Sequence, residues 1–458
     1  MQKSTSKYVL ALLFLAVLLT YTNCANDGKL SIKDLASLSN EQVEPPLISS
    51  TPVPPPLPPD PPPLSPPAPN PFLANEFGGS GAMINSGTAG QIVLFQNANN
   101  SKLINRDGGA TQQSGINNGY GMGAFIDPKD QNKTKFFIVD RNNHRILIFN
   151  QVPTSIGSVP DVVVGQTAFT GGLINAGQAA VNSRGFAGPT YVSVCGDGKM
   201  LVADQANNRV LIYNQIPRVS GAVADIVVGQ PGLTSNLAGA GATGLVTPYA
   251  AYCFDRKLFI IDRGNQRIVV HNIFPTINNS AANFVIGQPD FITVTAGCAA
   301  NKLNIAYEIV RYKNELYVAD GFNHRVLRFA TVPTAFGAVA TNVIGQPNLT
   351  TCLPNRGLPA AAANTLNTPT SVAVGKDTLA VADFANNRIL FYSLPVLAIN
   401  LNAKGLLGQP DFITNLNYAS VNAMTVNRAK GLIFDGNYIW MNLSTDNRVI
   451  NMLLPFVL

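Results

Sequence analysis

The stretch FFIVDRNNHRILIF, residues 136–149, recurs along the chain with small changes and decides the fold. Two apolar runs flank a short polar loop that begins at Asp140 and ends at Arg145, a pattern typical of a β-hairpin. It returns as MLVADQANNRVLIY (200–213), LFIIDRGNQRIVVH (258–271), LYVADGFNHRVLRF (316–329), LAVADFANNRILFY (379–392) and, with changes, YIWMNLSTDNRVINM (438–452). The body of the chain is therefore an array of repeats.

Each repeat carries one acidic and one basic residue at a fixed spacing. The Asp recurs in five copies and the Arg in six, and the sixth copy has Leu443 in place of the Asp. The positions are Asp140 and Arg145, Asp204 and Arg209, Asp262 and Arg267, Asp320 and Arg325, Asp383 and Arg388, and Arg448. Because every Asp has its own Arg, we interpret the pairs as clamps that close the hairpins rather than as metal or anion sites.

A Gly-Gln pair lies twenty residues after each of the first five Arg residues, at the end of a further apolar run. Another apolar run precedes each hairpin, so one unit contains four short strands in about 60 residues. Six such units predict an all-β fold, a six-bladed β-propeller with four-stranded blades.

The apolar-Asp-x-x-Asn-x-Arg-apolar core of the repeats resembles the NHL repeat, and the resemblance covers residues 91–458. The units are longer than NHL repeats usually are. The resemblance implies a toroidal propeller that binds protein, RNA or glycan, and it does not imply catalysis.

The last repeat has no Gly-Gln strand of its own, because twenty residues beyond Arg448 would lie past Leu458. The run AGQIVLFQNAN, residues 89–99, matches the missing strand. We predict that Gln91–Gln96 pairs with Arg448–Leu454, so that an N-terminal strand completes the last blade and closes the ring.

The N-terminus resembles the leader of a bacterial lipoprotein. Lys3 and Lys7 precede the apolar run Val9–Leu19, and Cys24 follows shortly after. The resemblance implies a signal peptide over residues 1–23, lipidation of Cys24, and a membrane-anchored protein in the outer membrane or on the cell surface of a bacterium. An ordinary cleaved export signal is the alternative.

Two segments connect this leader to the repeats. Residues 24–44 are polar, and residues 45–90 are rich first in Pro and then in Gly. Dense Pro removes backbone donors and fixes φ, so we expect a disordered linker there.

Composition excludes one class of partner. The net charge is +6 and only 12% of residues are charged, without a block of Lys and Arg. We therefore expect no nucleic-acid binding and interpret the positive balance as incidental.

The sequence offers little for catalysis. Three histidines are too few for a multi-His zinc site, so we expect no metal and no cofactor. Glu308 and Arg311, in a predicted innermost strand, are weak candidates for a polar site on the propeller axis, or they pair with each other. On this basis the chain is predicted not to be an enzyme.

Four cysteines lie in the repeats. Cys298 and Cys352 fall in successive variable loops, and a disulfide between them is compatible with export. Cys195 and Cys253 occupy equivalent inner-strand positions, where we expect small buried apolar residues.

The leading functional hypothesis is a monomeric, lipid-anchored binding module of the cell envelope. Its variable loops, on one face of the propeller, would recognise a protein or a polysaccharide. One alternative is a propeller lyase or hydrolase with an axial polar site. The other is a structural scaffold of the envelope.

Overall fold

The computed structural model describes residues 92–96, 111–113, 115–419, 425–436 and 438–454. The predicted signal peptide, Cys24 and the linker lie outside these residues. The described strands are β1 (Ile92–Leu94), β2 (Gly119–Asp127), β3 (Lys133–Asp140), β4 (Arg145–Phe149), β5 (Val162–Val164), β6 (Pro189–Val194), β7 (Met200–Asp204), β8 (Arg209–Tyr213), β9 (Ile226–Val228), β10 (Ala250–Phe254), β11 (Lys257–Asp262), β12 (Arg267–His271), β13 (Phe284–Ile286), β14 (Ala306–Tyr312), β15 (Glu315–Asp320), β16 (Arg325–Phe329), β17 (Asn342–Ile344), β18 (Pro369–Gly375), β19 (Thr378–Asp383), β20 (Arg388–Ser393), β21 (Gly405–Leu407), β22 (Ala429–Asp435), β23 (Tyr438–Leu443) and β24 (Arg448–Leu453).

These strands form six antiparallel sheets of four strands each. Blades 1 to 5 take consecutive strands, from β2–β5 for blade 1 to β18–β21 for blade 5. Blade 6 has the order β1-β24-β23-β22. The prediction of an all-β, six-bladed propeller is confirmed.

Strand β1 is the outermost strand of blade 6. Its residue Val93 lies opposite Ile450 of β24, and the side chain of Gln96 donates a hydrogen bond of 2.6 Å to the carbonyl of Asn447. That the ring depends on this strand for its stability stays a prediction.

Both faces of each sheet are buried against a neighbouring blade, which is why the strand runs are apolar throughout. Successive side chains of a strand point to opposite faces. In blade 1, Phe137 and Val139 pack against Val192 of blade 2. Phe136 instead faces Trp440 of blade 6, with ring centroids 4.8 Å apart.

The helices of the described residues are short 3-10 turns, and none of them is long and apolar enough to cross a membrane. Five turns follow the repeated Asp residues: Arg141–Asn143, Gln205–Asn207, Arg263–Asn265, Gly321–Asn323 and Phe384–Asn386. Two others, Ile174–Gly177 and Pro354–Gly357, lie in connections between blades.

The Gly of each Gly-Gln pair follows the outer strand in a conformation that only Gly adopts easily. Gly229 has a φ of 89°, and a Cβ atom there would lie 2.4 Å from the side chain of Leu245. The Gln that follows secures the next loop. Gln230 Nε2 donates to the carbonyls of Asn208 and Leu237, at 2.8 and 2.7 Å.

Candidate functional site

The repeated Asp and Arg residues form buried clamps, and blade 3 shows their geometry. Arg267 Nε donates to Asp262 Oδ2 at 2.7 Å, and both side chains are fully buried. The same oxygen accepts a bond of 2.8 Å from Asn265, and Oδ1 accepts one of 2.8 Å from the backbone of Val246. Burial raises the pKa of Asp262 to about 6, although the charge of Arg267 and these hydrogen bonds oppose the rise.

The same Arg fixes the loops on either side of its blade. Arg267 Nη1 donates to the carbonyl of Phe291 at 2.5 Å, and Nη2 donates to the carbonyls of Gly241 and Gly244 at 3.0 and 3.1 Å. The other complete copies follow this scheme, so the clamp shapes the inter-blade loops as well as its own hairpin. Its polar groups are occupied by the protein itself, which is the arrangement of a structural element.

Blade 6 keeps the clamp with a substitute acid. Leu443 stands where the other blades have Asp, and Arg448 Nη2 instead lies 3.3 Å from Asp446 Oδ2. Arg448 also donates to the carbonyl of Thr425 at 3.0 Å. A charge partner is thus retained although its position in the repeat has changed.

The polar residue before the Arg joins neighbouring blades in five of the six repeats: His144, Asn208, Gln266, His324 and Asn447. His144 Nδ1 accepts a bond of 2.9 Å from the backbone N–H of Gly188, where the inner strand of the next blade begins. His324 accepts in the same way from Thr368, at 3.1 Å. Burial lowers the pKa of both histidines, so the neutral, accepting form is favoured. Their role is structural.

The inner strands contain irregularities close to their starting ends. The strand register skips a residue at Thr190, Tyr307, Thr370 and Lys430, and skips Tyr120 with Gly121. Such bulges re-aim side chains and are frequent next to active sites. Here they lie at the end of the propeller axis that the 3-10 turns surround.

Aromatic and cationic side chains from several blades meet at this point, which we call the axial mouth. We define it by Tyr120, Arg141, Tyr249, Arg263, Tyr307, Phe384, Arg428 and Lys430. Lys430 Nζ lies 3.7 Å from the ring centroid of Tyr120 and 5.6 Å from that of Phe384. The Arg141 guanidinium lies 4.9 Å from the ring centroid of Tyr120. Because these residues belong to blades 1, 5 and 6, the contacts join three blades that are adjacent in the ring.

Arg263 lies on the opposite side of the mouth, against two tyrosine rings. Its guanidinium lies 4.9 Å from the ring centroid of Tyr307 and 5.7 Å from that of Tyr249. The rings of Tyr249 and Tyr307 are 5.0 Å apart in an edge-to-face arrangement. Cation–π contacts of this kind orient a guanidinium without neutralising it.

The mouth shifts the pKa of two groups towards neutrality. Burial alone would raise the pKa of Tyr120, but the charges of Lys430, Arg141 and Arg263 outweigh burial and lower it. Burial lowers the pKa of Lys430, and the two guanidinium groups lower it further while Tyr120 opposes the change. A phenol and an amine in contact, each with a lowered pKa, form a candidate acid–base pair.

Glu308 lies one residue further along β14 than Tyr307 and is buried on the axis. Tyr191 of blade 2 donates its hydroxyl to Oε1, and the backbone of Val372 in blade 5 donates to Oε2 at 3.1 Å. Burial raises the pKa of Glu308 to about 7, against the effect of hydrogen bonds from Ser371, Tyr191 and other neighbours. It is therefore a carboxyl group that gains or loses its proton near neutral pH.

The structure separates the two axial candidates that the sequence suggested. Arg311 does not share a site with Glu308, because its Nη1 atom lies 2.6 Å from Asp255 Oδ2 and its Nε atom donates to the carbonyl of Lys313. Strand β14 carries Arg311 towards the turn at its far end, away from the mouth.

Two disulfides link adjacent blades. Cys298 and Cys352 are bonded, with Cα atoms 6.1 Å apart. Cys195 and Cys253 are bonded as well, with Cα atoms 5.3 Å apart, so our interpretation of these two as simple apolar residues is corrected. Equivalent positions in adjacent blades lie side by side, which is the reason that cysteines 58 residues apart meet.

Sequence reasoning missed the mouth, although the repeats contain a signal for it. The two residues directly after the anchor Asp vary, whereas the Asn and the Arg that follow recur in the first five repeats. The six residues in the first of these two positions are Arg141, Gln205, Arg263, Gly321, Phe384 and Ser444. Variation at one position among otherwise recurring residues indicates that the fold does not require a particular side chain there.

No group of three or more His, Cys, Asp and Glu residues suited to a metal ion occurs within the described part of the chain.

Comparison with known proteins identifies no family for this chain. No family model and no curated protein matches it. It is similar to the periplasmic gluconolactonase of Pseudomonas aeruginosa, with 12% identity over 82% of this chain and 92% of that chain, and a TM-score of 0.45. Virginiamycin B lyase from Staphylococcus aureus has 13% identity over 75% of this chain and 97% of that chain, with a TM-score of 0.40. An auxiliary nutrient binding protein from Bacteroides thetaiotaomicron has 12% identity over 79% of this chain and 75% of that chain, with a TM-score of 0.44.

These comparisons correct one prediction. We predicted from the sequence that the chain is not an enzyme; the similar solved structures include a lyase and a lactonase, so that prediction is withdrawn. At such low identity and TM-score the likeness carries no argument about the reaction, so the reactions of those proteins are not carried over to this chain.

Proposed function

We propose that this protein is a propeller enzyme of the lyase class with its active site at the axial mouth. The observation that carries the proposal is the contact between Tyr120 and Lys430, at 3.7 Å from Nζ to the ring centroid, with the pKa of each group lowered. In this arrangement Tyr120 is the general base and Lys430 the general acid.

The proposed reaction is an elimination. The phenolate of Tyr120 takes a proton from a carbon next to a carboxylate or carbonyl group. The electron pair of that C–H bond forms a C=C bond, and the bond from the adjacent carbon to its oxygen substituent breaks. The departing oxygen takes a proton from Lys430, so atoms and charge balance without an oxidant or reductant. Arg141 stabilises the negative charge that develops.

Hydrolysis at the mouth is less well supported. Glycoside hydrolysis generally needs two carboxyl groups flanking the bond that is cut. Glu308, which follows Tyr307 in β14, is buried and bonded to Tyr191. A single buried carboxyl group fits a structural role better than hydrolysis by a pair of carboxyl groups.

The experiment is a screen of soluble polysaccharides with product analysis. Elimination creates a C=C bond that absorbs ultraviolet light, whereas hydrolysis creates reducing ends without it. Tyr120→Phe is expected to reduce turnover about a hundredfold or more. The control is Tyr392→Phe, which removes a buried hydroxyl that has no hydrogen-bond partner among the described residues. Equal activity of Tyr120→Phe and the wild type would remove Tyr120 from the mechanism.

A second function, recognition of a protein or polysaccharide through the inter-blade loops, is favoured by exposed leucines. Leu173, Leu237, Leu353 and Leu416 occupy equivalent positions, seven residues after four of the five repeated Gln residues, and are between 54% and 70% exposed. Single exposed apolar residues are normal, but a repeated set on one face marks an interaction surface. Replacing all four with Ser should abolish capture of an envelope component by the purified protein, and unchanged capture would exclude this surface.

We further propose that the repeats are of the NHL type and that Cys24 anchors the protein by a lipid to the outer membrane. The repeated Asp, Asn and Arg of the clamps support the first proposal, and the leader sequence supports the second.

A further inference from the structure

Among the residues that the structure describes, four cations at the axial mouth have no acidic partner. The ion pairs formed within the described residues include the clamp arginines and several surface pairs, but none includes Arg141, Arg263, Arg428 or Lys430. Placing like charges together raises the energy of the native state unless a counter-charge is present. Clustering these cations therefore destabilises the native state. It predicts an anionic ligand that supplies the missing counter-charge.

The two guanidinium groups are held ready for that ligand. Arg141 Nη2 donates to Gln205 Oε1 at 3.0 Å, and Arg263 rests against Tyr307. The Nε atoms of both arginines are buried and have no hydrogen-bond partner in the described part of the chain. A buried N–H group without a partner costs free energy that a ligand oxygen would recover.

The surroundings of these arginines indicate what kind of anion fits. A planar guanidinium matches the two oxygens of a carboxylate. The aromatic rings of Tyr249, Tyr307 and Phe384 offer apolar faces beside the charged groups. A ligand with a carboxylate on a ring that has an apolar face satisfies both conditions.

We propose that Arg141 and Arg263 form a carboxylate subsite, and that the substrate is a carbohydrate containing uronic acid. The proposal that a uronic-acid carbohydrate is the substrate rests on the proposed lyase function, whereas binding of a carboxylate at the subsite does not require that function. With its carboxylate at this subsite, a uronate residue carries an acidified C–H next to that carboxylate. Loss of this proton to Tyr120, formation of the C=C bond and release of the glycosidic oxygen, protonated by Lys430, complete the elimination.

Calorimetric titration of the full chain tests the subsite. The probes are trigalacturonate, the matching neutral trisaccharide of galactose and inorganic phosphate. We expect binding of trigalacturonate, at least about tenfold weaker binding by Arg263→Gln and Arg141→Gln, and no change in Arg184→Gln, an exposed loop arginine. Circular dichroism melting checks that each variant is folded. Equal affinity of the wild type and Arg263→Gln, equal binding of the neutral sugar or phosphate, or no binding of trigalacturonate would overturn the proposal.

Tyr120→Phe separates this inference from the proposed function. The variant should bind trigalacturonate with nearly wild-type affinity and form no unsaturated product. If the wild type binds trigalacturonate through the arginines but converts none of it, the lyase proposal fails and the subsite stands. If turnover of another substrate depends on Tyr120 while uronate does not bind, the subsite fails and the enzymatic proposal stands.

Discussion

At the scale of single residues, the buried charges that stabilise the fold differ from those proposed to act in the site. The clamp acids each face an Arg and accept further hydrogen bonds, so their charge is compensated within one blade. Glu308 has hydrogen-bond donors but forms no ion pair with any residue that the structure describes, and burial raises its pKa to about 7. The cations of the mouth have aromatic neighbours instead of acids.

Removing one clamp acid should destabilise the whole ring. Asp320→Asn leaves Arg325 buried without its charge partner, and we expect the free energy of unfolding to fall by about 3–5 kcal/mol in chemical denaturation. The control, Asp197→Asn, breaks a partly exposed pair with Lys199 and should change it by less than about 1 kcal/mol. Equal effects of the two variants would contradict the structural role of the clamp.

Glu308 should make stability depend on pH around neutrality. Its native pKa of about 7 lies above the ordinary value of 4.5, so the native state keeps the proton longer than the unfolded state. The stabilisation is complete below about pH 4.5 and is lost as pH rises through about 7, and its size is about 3 kcal/mol. Glu308→Gln should show a flatter profile over this range when urea denaturation is measured at several pH values. Parallel profiles would show that Glu308 is not the group responsible.

At the scale of strands and loops, the repeat pattern predicted the architecture but not the mouth. The Asp–Arg spacing and the Gly-Gln pairs locate the hairpins and outer strands, because these residues have a fixed geometric task in every blade. Tyr120 and Lys430 have no structural role that recurs in every blade. The direction of their side chains depends on bulges in β2 and β22, which a pattern of apolar residues does not reveal.

The inter-blade loops were only partly predictable for a related reason. The sequence shows them as variable, yet their first turns are held by repeated bonds from Arg and Gln to backbone carbonyls. A backbone carbonyl accepts a hydrogen bond whatever the side chain of its residue, so the sequence does not show which residues accept these bonds. Likewise, the link between Cys195 and Cys253 becomes visible only when two blades are placed side by side.

Strand β1 gives a prediction at this scale. Deleting residues 89–97 should expose the edge of β24 and lower the melting temperature of the whole repeat body. Deleting residues 45–72, in the Pro-rich segment, should leave the melting temperature unchanged. Differential scanning calorimetry of both variants decides the matter, and a stable propeller without residues 89–97 would show that the ring does not need this strand.

At the scale of the whole molecule, one face combines a cationic, aromatic centre with exposed leucines around it. The connections between blades and the 3-10 turns both lie on this face, because the inner strands begin there and the second strands end there. A polymeric acidic substrate would contact the centre with one residue and the rim with others. Catalysis and recognition can therefore share this face.

Membrane attachment is tested independently of the propeller. Cys24→Ala should move the protein from the membrane fraction to the soluble fraction when cells are fractionated, because the lipid acceptor is lost. A Cys298→Ser variant, which keeps the leader intact, should remain with the membranes. Retention of Cys24→Ala in the membrane fraction would refute lipidation at this residue.

We propose that the substrate is bound and converted at the axial mouth. The crystal structure of the Tyr120→Phe variant with trigalacturonate tests it most directly. We predict a uronate carboxylate within hydrogen-bond distance of Arg141 and Arg263, with the sugar ring against Tyr307 or Phe384. Density for the sugar only on the outer loops, or a sugar bound at the mouth with its carboxylate turned away from both arginines, would contradict the account.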